Sequence, residues 1–116
     1  MALKLYGLTK CSTCQKAIDW LDENKIAHSF SDVKDNPVTK EQVAAWSKKL
    51  GGWEKMINRA GYTWRGLPPE KTADLTEAKA VALAVANPSL IRRPLIEYKD
   101  GSVTVGFSKK IQEALG

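Results

Sequence analysis

The pair Cys11 and Cys14 constrains this chain more than any other feature, because it stands where an alternating apolar segment gives way to a helical one. Before it, Leu3 and Leu5 alternate with Lys4 and Tyr6 up to Gly7, the pattern of a short strand. After it, Cys14, Ala17, Ile18 and Leu21 recur at the spacing of one helix face. Ser12 or the cysteine loop caps that helix, and Asn24-Lys25 ends it. Residues 26–33, IAHSFSDV, read as a second strand. Strand, helix and strand make a βαβ unit, whose crossover is expected to be right-handed.

A Cys-x-x-Cys pair can clamp a metal, close a permanent disulfide or cycle electrons. A structural zinc needs about four ligands, and the chain offers two cysteines and one histidine, His28. No metal is therefore expected unless a dimer shares one. A bridge across two residues closes a very short loop and constrains the unfolded chain little. MALKLYGL has too little apolar length for a secretory signal, so a cytoplasmic, reducing setting is expected, where permanent disulfides are disfavoured. A redox pair is the reading that the spacing supports. Cys11, ahead of the helix, is then the nucleophile. The unpaired N–H groups and dipole of the helix start favour its thiolate, as does the charge of Lys10. Such surroundings bring a cysteine pKa into a range of roughly 3.5–7.5. Cys14, on the next turn, is placed to resolve a mixed disulfide formed at Cys11.

From Lys34 to Pro88 the pattern is helical. Thr39 and Gln42 form a capping box opening a helix through Leu50, which Gly51-Gly52 stops. A short piece from Trp53 to Asn58 leads to Arg59 and a turn at Ala60-Gly61. Asp74 or Thr76 caps another helix, whose buried face is expected at Ala78, Val81, Ala82 and Val85, and Asn87-Pro88 ends it. Trp53 and Trp64 are expected to cover this segment's core. Leu95–Tyr98 and Ser102–Gly106, joined by a Lys99-Asp100-Gly101 turn, read as a β-hairpin. Ser108 then caps a last helix carrying Ile111, Ala114 and Leu115. The sequence thus predicts one domain over 1–116, with a core of 1–33 and 89–116 and a helical insertion of 34–88.

Composition narrows the partners. Hydrophobic and charged fractions of 43% and 27% belong to a soluble globular chain. The longest apolar run, Ala80 to Ala86, falls far short of the about 20 residues of a membrane span. The net charge of +5 is scattered in pairs such as Lys48-Lys49, Arg92-Arg93 and Lys109-Lys110. No nucleic-acid motif accompanies them, so neither membrane nor direct nucleic-acid binding is expected.

Four stretches, TKCSTCQKA, MINRAGYTWRGL, NPSLIRRPLI and VGFSKKIQEAL, together resemble the ArsC/Spx family, the glutaredoxin-type arsenate reductases and their relatives. The resemblance runs through essentially the whole chain. It implies an α/β thioredoxin-like fold (βαβ–ββα) with a four-stranded mixed sheet and a helical insertion. It also implies a cis Pro94 facing the cysteine loop, and Arg59 and Arg93 as the residues that hold a substrate anion and stabilise the thiolate. Arg92, beside them, has only adjacency in its favour and is read as a surface residue. One departure stands out. Arsenate reductases of this type carry a third arginine directly before a Pro-Ser pair, where this chain reads Gly106-Phe107-Ser108. Losing one charge-assisted contact to an anion costs about 1.5–3 kcal/mol. The chain is in this respect more similar to the YffB-like bacterial branch described as thiol reductases. That branch implies no bound cofactor, glutathione as co-substrate, and a small oxyanion, a disulfide or a protein disulfide as the other reactant. The Spx branch, redox-sensing transcriptional regulators that bind RNA polymerase, shares the Cys-x-x-Cys and the IRRP stretch. The chain ends at Gly116 without that branch's charged extension, which favours an enzyme over a regulator, while the missing third arginine disfavours a true arsenate reductase; the expected function is a cytoplasmic thiol–disulfide oxidoreductase.

Overall fold

Leu3, Leu5 and Gly7 turn inward and Lys4 faces solvent along strand β1, Leu3–Gly7, in the computed structural model, which describes residues 3–115. β1 pairs in parallel with β2, His28–Asp32, from Leu3↔His28 to Gly7↔Asp32. On its other side it pairs antiparallel with β3, Leu95–Glu97, which in turn pairs antiparallel with β4, Val103–Val105. The sheet is four-stranded and mixed, in the order β2-β1-β3-β4. This is the thioredoxin-like α/β arrangement expected from the sequence, with the strands trimmed by a residue or two at their ends.

Helices cover both faces. Helix α1, Ser12–Glu23, buries Cys14, Ala17 and Leu21. Ala17 and Leu21 pack with Leu3, Leu5 and Ile96. Asn24 caps its C-terminus, and Lys25 takes a left-handed φ of 55°. Ile111 and Leu115 of the last helix, α7 (Lys109–Leu115), join that core, whereas Ala114 is exposed. Ser108 accepts from the Ile111 N–H at 3.4 Å, which gives α7 its cap.

The opposite face carries the larger core, around Val43, Trp46, Met56, Ile57, Leu90, Ile91 and Leu95. Its helices lie between β2 and β3: α2 (Lys40–Leu50), α3 (Trp53–Met56), α4 (Tyr62–Arg65), α5 (Pro69–Thr72) and α6 (Glu77–Ala86), followed by a 3₁₀ turn at Pro88–Leu90. The α2 capping box is complete: Thr39 accepts from the Gln42 N–H at 3.1 Å, and the Gln42 side chain accepts from the Thr39 N–H at 2.9 Å. Gly51 ends α2 at a φ of 92°, the left-handed region that glycine enters without strain.

Two expectations fail here. Thr76 caps α6, but the buried residues of α6 are Ala80, Val81, Leu83 and Ala84, while Ala78 and Ala82 are exposed. An unbroken apolar run has no polar stripe to set its rotation. A tertiary bond does so instead: Ser47, buried on α2, donates to the Glu77 carboxylate at 2.5 Å. The piece expected to be helical from Trp53 to Asn58 stops at Met56, because Ile57 is extended and forms an isolated antiparallel bridge with Ile91. The Asn58 N–H donates to the Leu90 carbonyl and the Arg92 N–H to the Met56 carbonyl, both at 2.8 Å. This seam fixes the insertion against the segment that enters β3.

Candidate functional site

Cys11 is the N-cap residue of α1, extended at φ −77°, ψ 124°, with no side chain capping the helix. The helix's first N–H groups are therefore left to the cysteine itself. The loop before it is held on three sides. Thr9 donates its N–H and its hydroxyl to Asp32 Oδ2 at 2.8 and 2.7 Å. Gln15 donates to the Thr9 carbonyl at 2.6 Å, and the Cys11 N–H to the Leu8 carbonyl at 3.0 Å. The Asp32 carboxylate also takes the Lys34 N–H at 2.8 Å. Hydrogen bonds from the Thr9 hydroxyl, the Thr9 N–H and the Lys34 N–H, in that order, hold Asp32 down at a pKa of about 2.

The two sulfurs have opposite environments. Cys14 is fully buried against Gly7, and burial pushes its thiol up to about 12 despite the Leu8 N–H that points to it. Cys11 is half-exposed. Burial raises its thiol as well, but the Cys14 N–H, the Cys14 thiol, the Thr13 N–H and the charge of Arg93 outweigh that and bring it below 9.0. The resting pair is thus a thiolate-prone Cys11 accepting from a Cys14 thiol.

A cleft of about 520 Å³ opens beside Cys11, lined by Thr13, Glu54, Lys55, Asn58, Arg92, Arg93 and Gly106 among others. Its walls come from the start of α1, from α3 and its exit, and from the two loops flanking the hairpin. The Arg93–Pro94 bond is cis, Pro94 is buried, and the Gly106 N–H donates to the Pro94 carbonyl at 2.9 Å. Arg93 is half-buried, with its Cβ near Gly7 and its guanidinium donating to the Ser89 carbonyl at 3.3 Å.

The structure redistributes the expected cations. Arg93 lines the cleft with Cys11, but Arg59 does not. Its guanidinium lies 5.6 Å from the ring centroid of Trp53, which stacks on Trp64 at 6.5 Å. Arg59 is exposed and engaged in that cation–π contact. Arg92, read from the sequence as a surface residue, is exposed and yet lines the cleft together with Lys55. Lys10 is exposed and does not line it. Gly106 has a φ of 82° and open space where a side chain would stand, so that edge of the cleft carries no charge. Glu54 and Asp32 escaped the sequence reading, as did the place of Arg92 in the cleft, because only the Ile57–Ile91 seam and the β1–β2 register bring them here. Among the described residues no His, Cys, Asp and Glu gather in a group able to hold a metal, and no helix is long and apolar enough to cross a membrane.

The two thiols should separate in reactivity. Only the thiolate is alkylated, so the rate of modification rises as pH passes through the pKa. Iodoacetamide labelling followed by mass spectrometry should give Cys11 a midpoint below 9.0, with Cys14 unlabelled in the folded protein throughout that range. Equal labelling of both cysteines at one midpoint would contradict the asymmetry.

Comparison with known proteins places this geometry among relatives. Residues 6–115 match the ArsC family. A solved structure of a YFFB protein superposes with a TM-score of 0.91 at 42% identity, covering 97% of each chain. An arsenate reductase (ArsC) related protein from Brucella melitensis has a TM-score of 0.78 at 35% identity, covering 98% of this chain and 93% of its own. The global transcriptional regulator Spx of Streptococcus agalactiae is 27% identical over 108 residues, 92% of this chain and 77% of its own length.

Proposed function

The chain belongs to the ArsC family, and from that premise we propose that it is a thiol–disulfide oxidoreductase acting on glutathione mixed disulfides. The observation that carries this reading is the asymmetry of the pair: a half-exposed, thiolate-prone Cys11 on a cationic cleft and a fully buried Cys14 kept as a thiol. In the first step the Cys11 thiolate attacks the glutathione sulfur of a mixed disulfide. The substrate leaves as a thiolate and takes a proton from solvent, and a Cys11–glutathione disulfide remains. In the second step the Cys14 sulfur attacks Cys11. Its proton leaves with the glutathione thiolate, giving free glutathione and a Cys11–Cys14 disulfide. A thiol reductant then returns two electrons and two protons to the pair.

Arg93 and Arg92 supply guanidinium donors for carboxylates of the substrate, a geometry suited to bidentate contact. Gly106 supports a thiol over arsenate as substrate, since the cleft edge there offers no third cation. The test is turnover of a glutathionylated peptide by the purified protein, compared with arsenate under the same thiol reductant. Release of glutathione with transient formation of the Cys11–Cys14 disulfide is expected, together with far slower reduction of arsenate. Arsenate turnover without peptide deglutathionylation would overturn the reading.

The likeness to Spx favours one second reading, a redox-switched binding protein with RNA polymerase as partner. Retention on RNA polymerase that changes between reduced and oxidised protein, with negligible turnover, would establish it in place of the enzyme.

A further inference from the structure

The cleft beside Cys11 contains a carboxylate for which oxyanion chemistry has no use. Glu54 stands on the wall formed by α3, next to Lys55 and in the same cleft as Arg92 and Arg93. It is exposed, and the one ion pair among the described residues joins His28 to Asp22, so no lysine or arginine forms a direct ion pair with it.

Charges around the opening can be added. Lys55, Arg92 and Arg93 contribute three positive charges against the one negative charge of Glu54, and Cys11 adds a second whenever it is a thiolate. A doubly charged oxyanion entering this cleft meets a repelling carboxylate and gains nothing from it. A thiol built from amino acids is different: glutathione brings two carboxylates for the cations and one ammonium. The volume of about 520 Å³ lies inside the range of about 300–1,000 Å³ usual for small-molecule sites.

We propose that Glu54 is the residue by which the cleft selects its substrate class: it receives the ammonium of a glutathione-like thiol whose carboxylates lie on Lys55, Arg92 and Arg93, and it disfavours simple oxyanions. The assignment rests on the thiol–disulfide reading above and adds the residue that reads the ligand's amino end.

Equilibrium binding tests it without turnover. S-methylglutathione and its N-acetyl derivative, both unreactive thioethers, are titrated calorimetrically into the native protein and into Glu54→Gln. An ammonium–carboxylate contact at a partly solvated rim should favour the free-amine ligand about five- to tenfold in the native protein. In Glu54→Gln, which keeps the side chain's size at an exposed position, that ratio should fall to near one. The same ratio in both proteins overturns the assignment, as does failure of S-methylglutathione to bind the native protein. The peptide turnover assay judges the underlying reading separately. Discrimination lost in Glu54→Gln without native turnover sustains Glu54 and removes the oxidoreductase. Turnover with an unchanged ratio does the reverse.

Discussion

Cys11→Ser should abolish reduction of a glutathione mixed disulfide, by roughly a thousandfold or more, as loss of a nucleophile does elsewhere. Cys14 cannot take over. Burial pushes its thiol up to about 12, so it is held as a thiol near neutral pH, and it is 0% exposed. Cys14→Ser should instead leave the first step intact and stall after it. Intact-protein mass spectrometry distinguishes the two: Cys14→Ser accumulates one glutathionyl adduct, and Cys11→Ser none. An adduct on Cys11→Ser at the native rate would reverse the assignment of the two sulfurs.

Gly7→Ala should be the most damaging single-methyl change near the site. A Cβ at Gly7 would fall 2.5 Å from Cys14 Sγ, 3.5 Å from Phe30 Cε1 and 3.8 Å from the Arg93 Cβ. The glycine is there for space, because its neighbour across the β1–α1 junction is a buried sulfur with no room to retreat. Forcing a methyl group into a packed core costs about 1–3 kcal/mol, from a total stability of about 5–15 kcal/mol. At about 4 °C per kcal/mol for a chain of this size, the melting temperature should fall by roughly 4–12 °C. Displacing the sulfur by an ångström should also slow resolution, on the order of a hundredfold. Thermal denaturation and the rate of glutathione release from a preformed Cys11 adduct measure the two effects. A variant with native stability and native resolution would show that Cys14 does not depend on this contact.

What the sequence made legible was whatever is local. The capping box at Thr39 and Gln42 needs only three residues, and it forms as read. Strand alternation at Leu3–Gly7 and the helix face at Cys14, Ala17 and Leu21 are likewise set by neighbours along the chain. The α6 rotation was not legible, since Ala80 to Ala86 is apolar on every side and the Ser47–Glu77 bond that orients it comes from another helix. Arg93 lines the cleft as expected, but the places of Arg59 and Arg92 were not legible for the same reason. Arg59 had the motif support and Arg92 only adjacency, yet Arg59 stands over Trp53 while Arg92 lines the cleft. Their places follow from Ile57 pairing with Ile91, a contact that no local pattern announces.

That pairing has an architectural consequence. The two hydrogen bonds flanking it, Asn58 to Leu90 and Arg92 to Met56, make the stretch from 59 to 89 leave and rejoin the protein at one doorway. Helices α4, α5 and α6 lie between its two strands of chain, with the inner side of α6 packed in the larger core, whereas Glu54, Lys55, Asn58, Arg92 and Arg93 stand at its edge. Lengthening a closed loop costs little, about 0.6 kcal/mol per doubling. Turns within that stretch, away from the packed face of α6, can therefore vary in length at little cost while the aperture over Cys11 is held by the pairing itself.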